Sequence, residues 1–104
     1  MLLWLDDVRT PPSAEWTWVK TADDAISALH RGCVSKVSLD HDLGPEESGN
    51  GYMVISRIEM FAYGGLLRKV PDEILIHTAN PVARVRMEQA LVNINTYRKQ
   101  WTGK

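Results

Sequence analysis

Carboxylate and imidazole side chains follow an apolar run in the stretch KVSLDHDLG, residues 36–44. The run predicts a buried strand, and the next three residues are Asp40, His41 and Asp42. Acidic groups collected where a buried strand ends cost stability unless a cation or a reaction requires them. The stretch therefore indicates metal binding or proton transfer at this strand end.

Two other predicted strands end in similar chemistry. LLWL is followed by Asp6 and Asp7, and EILIH ends in His77, with Thr78 next in the chain. Parallel strands bring their carboxyl ends to one edge of a sheet, where the ligand crevice of such sheets lies. We therefore expect these residues to converge with Asp40.

The remaining pattern predicts a β-β-α-β-α-β-α order. Four apolar or β-branched runs predict strands over residues 2–5, 16–20, 36–39 and 73–77. Helical spacing and start signals predict helices after Thr21, over residues 54–62 and from Asn80. The Pro11–Pro12 pair excludes a regular helix between the first two strands. Such an order predicts a mostly parallel sheet covered by helices on both faces.

Three converging carboxylates predict a metal site. Asp6, Asp7 and Asp40 would repel one another, and at least one pKa would rise, unless a cation neutralised them. Mg²⁺, or Mn²⁺, prefers carboxylate oxygen and keeps water ligands that a phosphate can displace. The alternative is that these aspartates only cap turns at strand ends.

Four further residues could assist a reaction at this edge. His41 and His77 titrate close to neutral pH and are candidates for proton transfer. In an extended segment, however, His41 points away from both neighbouring aspartates, so it could instead pack against a helix. Arg9 could clamp a phosphate or be an ordinary surface arginine, and Asn80 could both cap a helix and help to bind an anion.

The composition limits the class of protein. A chain of 104 residues fits a single domain over 1–104, and its net charge of −1 predicts no extended nucleic-acid surface. No run approaches the roughly 18 apolar residues of a membrane span, so no membrane partner is expected. Cys33 is the single cysteine, which excludes an internal disulfide and is compatible with a reducing compartment. We predict a soluble, cytoplasmic protein.

The motifs resemble those of the receiver superfamily of two-component signalling. LWLDD is similar to the receiver first strand with its acidic pair, VSLD to the strand that delivers the phosphoacceptor, and ILIHTA to the fourth-strand motif. More specifically, LDDVRTPP, SLDHDLG with GNGY, and HTANP resemble the cyclic-phosphate-processing receiver-like (cREC) family. The resemblance covers residues 2 to about 90.

This resemblance implies a fold. It is a three-layer, receiver-like (flavodoxin-like) α/β sandwich with a mostly parallel four- or five-stranded sheet, whose first helix is replaced here by a Pro-rich loop. The sequence departs from receivers in having no recognisable fifth strand that ends in Lys-Pro, the lysine that binds the phosphoryl group in receivers.

The resemblance also implies roles for the site residues. Asp7 and Asp40 would bind Mg²⁺ directly and Asp6 through water, while the Thr78 hydroxyl would contact the phosphoryl group. Asp42 would offer its backbone carbonyl at the same metal site. The predicted substrate-binding residues are Arg9, Asp42 and Asn80.

Two functions from different classes follow. The first is a metal-dependent phosphoesterase that hydrolyses a cyclic phosphate on a nucleotide or RNA-derived product, with Asp40, His41, His77 and Thr78 as catalytic residues. The second is a non-enzymatic, stand-alone receiver-like module that takes a phosphoryl group on Asp40 or binds a cyclic nucleotide without turnover. In both cases the partner is a small phosphate-bearing ligand.

Overall fold

The computed structural model describes residues 1–103. The elements are β1 (Leu2–Leu5), β2 (Trp16–Val19), α1 (Ala22–His30), β3 (Lys36–Leu39), α2 (Gly51–Tyr63), β4 (Glu73–Ile76) and α3 (Pro81–Thr102). Short 3₁₀ helices lie at Glu46–Ser48 and Leu67–Lys69. The observed order agrees with the predicted one, and the tail that carries Tyr97 and Trp101 belongs to α3.

The four strands form one parallel sheet in the order β2-β1-β3-β4. Leu5, the last residue of β1, is in register with Val19 on one side and with Leu39 on the other, and Leu39 is in register with Ile76. The strands therefore end together, and the residues that follow β1, β3 and β4 lie side by side. This confirms the predicted receiver-like α/β class with its parallel sheet.

One face of the sheet carries the hydrophobic core. Leu3, Leu5, Val37 and Leu39 alternate with residues of the other face and are fully buried. They share one cluster with buried side chains of all three helices, including Ala25, Leu29, Val54, Ile55, Ile58, Met87 and Ile94. Each fully buried aliphatic side chain stabilises the fold by about 1.5–3 kcal/mol, so this face supplies most of the hydrophobic stabilisation.

The other face is crossed by the β1–β2 connection, residues 6–15, which contains no helix. The expected cover of helices on both faces is therefore wrong, because all three helices pack on the core face. The step from β1 to β2 runs across the sheet in the opposite direction to the steps from β2 to β3 and from β3 to β4. Since parallel crossovers are right-handed, opposite directions place their connections on opposite faces. The loop accordingly covers Trp4, whose indole Nε1 donates to the Arg9 carbonyl at 2.8 Å. Trp16 packs edge-on against Trp4, with ring centroids 5.6 Å apart.

Side-chain caps begin the helices where the sequence predicts. Thr21 Oγ1 accepts a hydrogen bond from the Asp24 N–H at 3.2 Å, and Asn80 Oδ1 accepts one from the Ala83 N–H at 3.1 Å. Asn50 does the same for α2. Within residues 1–103, no helix combines the length and the apolar character that a membrane crossing requires.

Gly51 brings the start of α2 against the end of β3. A Cβ built on this residue would overlap the Asp40 carbonyl oxygen and lie 3.0 Å from Met87 Cε. The Gly51 N–H also donates to the His41 carbonyl at 3.0 Å. Only glycine allows this approach, so α2 fixes the backbone that follows β3.

We predict that Gly51→Ala destabilises the protein by about 1–3 kcal/mol, because the added methyl group must push two packed elements apart. The matched control is Gly64→Ala at the other end of α2, where the nearest atom to an added Cβ is 3.4 Å away. That change is expected to stay within about 0.5 kcal/mol of the wild type in urea unfolding. Equal stability of the two variants would contradict the packing argument.

Candidate active site at the carboxyl edge of the sheet

Asp6, Asp40 and His77 come together where β1, β3 and β4 end. Each offers one atom that could bind a metal ion, and these three atoms lie within 4.8 Å of one another. The backbone N–H of each of the three donates to the carbonyl of the last residue of the neighbouring strand, at 3.2, 3.0 and 2.9 Å respectively. The ladder thus continues one residue beyond each strand and holds the three residues on the face that the loop crosses.

The Asp6 carboxylate is buried, with the residue only 2% exposed, yet it is well supplied with donors. Oδ1 accepts from the backbone N–H groups of Val8 at 2.9 Å and Arg9 at 2.8 Å, and Oδ2 contacts His77 Nε2 at 3.0 Å. Burial by itself would raise the pKa of Asp6, but these hydrogen bonds outweigh it and the net pKa lies below its usual value. Asp6 is therefore a carboxylate anion at neutral pH.

Both ring nitrogens of His77 are engaged. Nε2 contacts Asp6, Nδ1 lies 2.7 Å from Ser38 Oγ, and the ring stacks on Trp4 with centroids 4.1 Å apart. Burial lowers the pKa of His77 despite the opposing effect of its hydrogen bond to Asp6. Because Asp6 only accepts, the neutral ring carries its proton on Nε2, and the Ser38 hydroxyl donates to Nδ1. The hydrogen bonds from Ser38 through His77 to Asp6 thus fix one tautomer of His77 and orient the Asp6 carboxylate.

Asp40 differs from Asp6 in its electrostatics. Its Oδ1 accepts from the His41 N–H at 2.7 Å. Burial raises the pKa of Asp40, and the negative charge of Asp6 raises it further, although the His41 N–H, His77 and the Thr78 hydroxyl act in the opposite direction. Asp6 and Asp40 are thus two close carboxylates, and the second resists ionisation. A bound cation would stabilise the charged form of both.

His41 does not point away from both aspartates, contrary to the expectation from strand alternation. Its Nδ1 lies 2.8 Å from Asp42 Oδ1, and its side chain is 18% exposed. The reason is local: β3 ends at Leu39, and Asp42 already forms an isolated antiparallel bridge with Asn50, so the alternation no longer applies. His41 and Asp42 form a dyad in which a carboxylate orients an imidazole.

The predicted anion-binding residues border the same edge. Arg9 lies in the loop, where its exposed guanidinium donates to the His77 carbonyl at 3.4 Å. Asn80 donates weakly to Asp42 Oδ2 at 3.5 Å, and its backbone N–H donates to Thr78 Oγ1 at 3.1 Å. Thr78 is 4% exposed, so its hydroxyl is held by the start of α3 rather than by solvent.

Asp7 lies outside the group formed by Asp6, Asp40 and His77. Its Oδ2 lies 3.1 Å from the position that a Cβ on Gly44 would occupy, and Gly44 has a positive φ of 84°. Asp7 therefore contacts the loop after β3, and its role as a metal ligand stays a prediction.

The sequence did not predict four residues that contribute to this edge: Trp4, Ser38, Trp18 and Lys20. Trp18 Nε1 donates to the Asp6 carbonyl at 2.7 Å, and Lys20 Nζ lies 4.7 Å from the centre of the Trp18 ring. A signal for Ser38 was its polarity inside an apolar strand, since a buried hydroxyl requires a partner. The tryptophans carried no comparable signal, because an aromatic side chain in a strand usually packs in a core.

Comparison with protein-family models found a match that spans the edge described above. The model of the cyclic-phosphate processing receiver domain matches residues 1–93. The chain belongs to this family. The match to the cyclic-phosphate processing receiver domain includes every site residue from Asp6 to Asn80. Comparisons with curated proteins and with solved structures found no match.

The neutral His77 gives the fold a predictable pH dependence. Its pKa lies below the ordinary 6.5 in the folded protein, so the unfolded chain binds the proton more readily. The stability gained from keeping this ring neutral is present above about pH 6.5 and is lost as the pH falls below it. Urea unfolding of wild type and His77→Gln with EDTA, from pH 8 to pH 5.5, should show their stability difference shrinking toward low pH. A difference that is constant or grows would contradict this.

Proposed function

We propose that this receiver domain is a metal-dependent phosphoesterase that hydrolyses a cyclic phosphate on a nucleotide or RNA-derived product. The observation that carries the proposal is the pairing of Asp6 and Asp40 within 4.8 Å at the carboxyl edge of the sheet. A site that only needed to hold a fold together would gain nothing from two adjacent carboxylates.

The donor set fits Mg²⁺ or Mn²⁺. Asp6 and Asp40 would hold the ion through carboxylate oxygens, the ligands that hard divalent cations prefer, and Asp7 remains the third carboxylate of the predicted set. His77 fits better as the residue that orients Asp6, because its two nitrogens are already used by Asp6 and Ser38. When bound, the ion would polarise a phosphate oxygen and make the phosphorus more electrophilic.

His41 is the better candidate for proton transfer. Asp42 holds its Nδ1, and its Nε2 has no hydrogen-bond partner among residues 1–103. In the hydrolysis, water adds its oxygen to phosphorus, one ester P–O bond breaks, and the two protons of water end on the phosphate and on the leaving oxygen. A base must take a proton from the attacking water, and an acid must supply one to the leaving oxygen. His41 Nε2 would perform one of these transfers.

The remaining groups would serve the charge of the phosphate. The Arg9 guanidinium makes no carboxylate contact within 4.0 Å among the described residues, so it remains available to an anion. Thr78 would donate its hydroxyl. The start of α3 would add the Val82 N–H, since Pro81 has none and Asn80 already accepts from the Ala83 and Arg84 N–H groups.

A second candidate function is binding without turnover. The engagement of both His77 nitrogens favours it, since this removes one of the two predicted proton carriers from the reaction. Phosphorelay on Asp40 has less support: the four strands of residues 1–103 include none beyond β4 that could supply the lysine of receivers.

We predict turnover of at least one cyclic phosphate when the protein is incubated with Mg²⁺ or Mn²⁺ and a panel of 2′,3′- and 3′,5′-cyclic nucleotides and RNA fragments with cyclic ends. Asp40→Asn should abolish it, because the ion loses one of its two paired carboxylates. The control is Asp23→Asn, which removes the same charge from the exposed first turn of α1. It should keep wild-type activity in the same assay of released phosphomonoester.

Labelling with acetyl phosphate separates the alternatives. Stoichiometric phosphorylation of Asp40 without hydrolysis of any panel member would contradict the phosphoesterase proposal and favour a receiver. Saturable binding of a cyclic nucleotide, with neither labelling nor turnover, would favour a binding module.

The two histidines should fail in different ways. His41→Gln is expected to lower kcat by about 10²–10⁴ at any metal concentration, because it removes a proton-transfer group. His77→Phe keeps a ring on Trp4 but loses both hydrogen bonds, so it should raise the required metal concentration about 10–100-fold. His77→Gln, whose amide can still donate to Asp6, should recover part of that affinity. A kcat loss confined to the His77 variants would contradict this division of roles.

A further inference from the structure

The β1–β2 ladder places Lys20 next to Asp6. Beyond the paired ends Leu5 and Val19, the Asp6 N–H still donates to the Val19 carbonyl at 3.2 Å. Neighbouring strands lie about 4.8 Å apart, so the Lys20 backbone is one strand spacing from that of Asp6. Alternation along β2 puts Trp18 and Lys20 on the same face, the one crossed by the loop.

Trp18 holds the Lys20 ammonium at this place. The indole Nε1 donates to the Asp6 carbonyl at 2.7 Å, which ties the ring to the end of β1. Lys20 Nζ lies 4.7 Å from the centre of that ring, within the range of a cation–π interaction. The ring therefore restricts a long side chain that would otherwise sample many rotamers.

Lys20 carries a charge that no carboxylate neutralises. No acidic oxygen of residues 1–103 lies within 4.0 Å of its Nζ. Lys36 provides the contrast on the same face at the opposite end of the sheet, where Nζ is 5.7 Å from the Trp16 ring centre and 3.5 Å from Glu73 Oε2. Lys36 at the amino end of the sheet is thus paired with a carboxylate, while Lys20 at the carboxyl end is not.

An ammonium without a carboxylate partner, at the carboxyl edge of the sheet, is suited to an incoming anion. If it served only to offset Asp6 and Asp40, it would be expected to contact one of them, as Lys36 contacts Glu73. Lysine is a compact point charge that binds phosphate oxygens. Arg9 lies in the loop that leaves the same strand end, so two cations without a carboxylate partner border Asp6.

We propose that Lys20 binds a non-ester oxygen of the phosphate group of the ligand, and that Trp18 positions it to do so. The proposal rests on the proposed function in taking the ligand to be a phosphate ester. In receivers, a lysine after a fifth strand binds the phosphoryl group. Here Lys20 would supply the positive charge from the end of β2, the edge strand on the opposite side of the sheet. The chemistry recognised is a phosphate anion, whether cyclic ester, product monoester or inorganic phosphate.

The test is the affinity for inorganic phosphate with Mg²⁺ present, measured by calorimetry at fixed ionic strength. Lys20→Met, which keeps the length of the side chain without its charge, should weaken binding about tenfold, the loss typical of a hydrogen bond to a charged group. Lys20→Arg should remain within about threefold of wild type, because it keeps the charge and can still bind phosphate. Lys36→Met removes the same charge from the same face and should change affinity less than twofold, since screening weakens a distant charge.

Each outcome decides the proposal. Unchanged binding by Lys20→Met, equal weakening by Lys36→Met, or no phosphate binding by the wild type would overturn it. Thermal melting of each variant shows whether the fold is intact, and recovery by Lys20→Arg excludes a general loss of structure.

The role of Lys20 in phosphate binding and the proposed phosphoesterase activity can fail independently of each other. If phosphate binding depends on Lys20 but no cyclic phosphate is hydrolysed, the binding assignment stands and the phosphoesterase fails. If hydrolysis occurs and Lys20→Met leaves KM and phosphate affinity unchanged, the enzyme stands and the assignment fails.

Discussion

The buried carboxylate of Asp6 is the group on which the carboxyl edge depends. Taking an anion out of water is costly, and here the cost is offset by two backbone N–H groups of the loop and by His77. Those donors come from different parts of the chain, so satisfying one carboxylate also fixes the start of the loop and the end of β4. Trp18, bound to the Asp6 carbonyl, adds β2 to the same assembly.

That arrangement distinguishes the two histidines, which the sequence offers together as candidates for proton transfer. His77 lies between Ser38 and Asp6 against the Trp4 ring, where a neutral imidazole is the stable form. His41 is exposed to about the same extent, but only one of its nitrogens is held by a carboxylate. A ring with both nitrogens bound suits orientation, whereas an oriented ring with one nitrogen unbound suits exchange of protons.

Features set by local sequence patterns were predictable, whereas features set by tertiary contacts were not. Apolar runs and the caps at Thr21 and Asn80 set the elements, and the parallel rule then brought Asp6, Asp40 and His77 to one edge. Side-chain directions beyond a strand end were not predictable, because they depend on turns and on tertiary partners. The expected orientation of His41 failed for this reason, and the contact of Trp18 with the end of β1 gave no sequence signal.

The loop between β1 and β2 has a consequence for how such a domain can diversify. The helices and their aliphatic core lie on the opposite face, so the loop contributes little to the hydrophobic stabilisation of the fold. Lengthening a flexible loop is inexpensive, about 0.6 kcal/mol for each doubling. Its residues beyond Arg9 belong to the connection on the sheet face that no described helix covers. The length and sequence of this segment can therefore change while the aliphatic core is preserved.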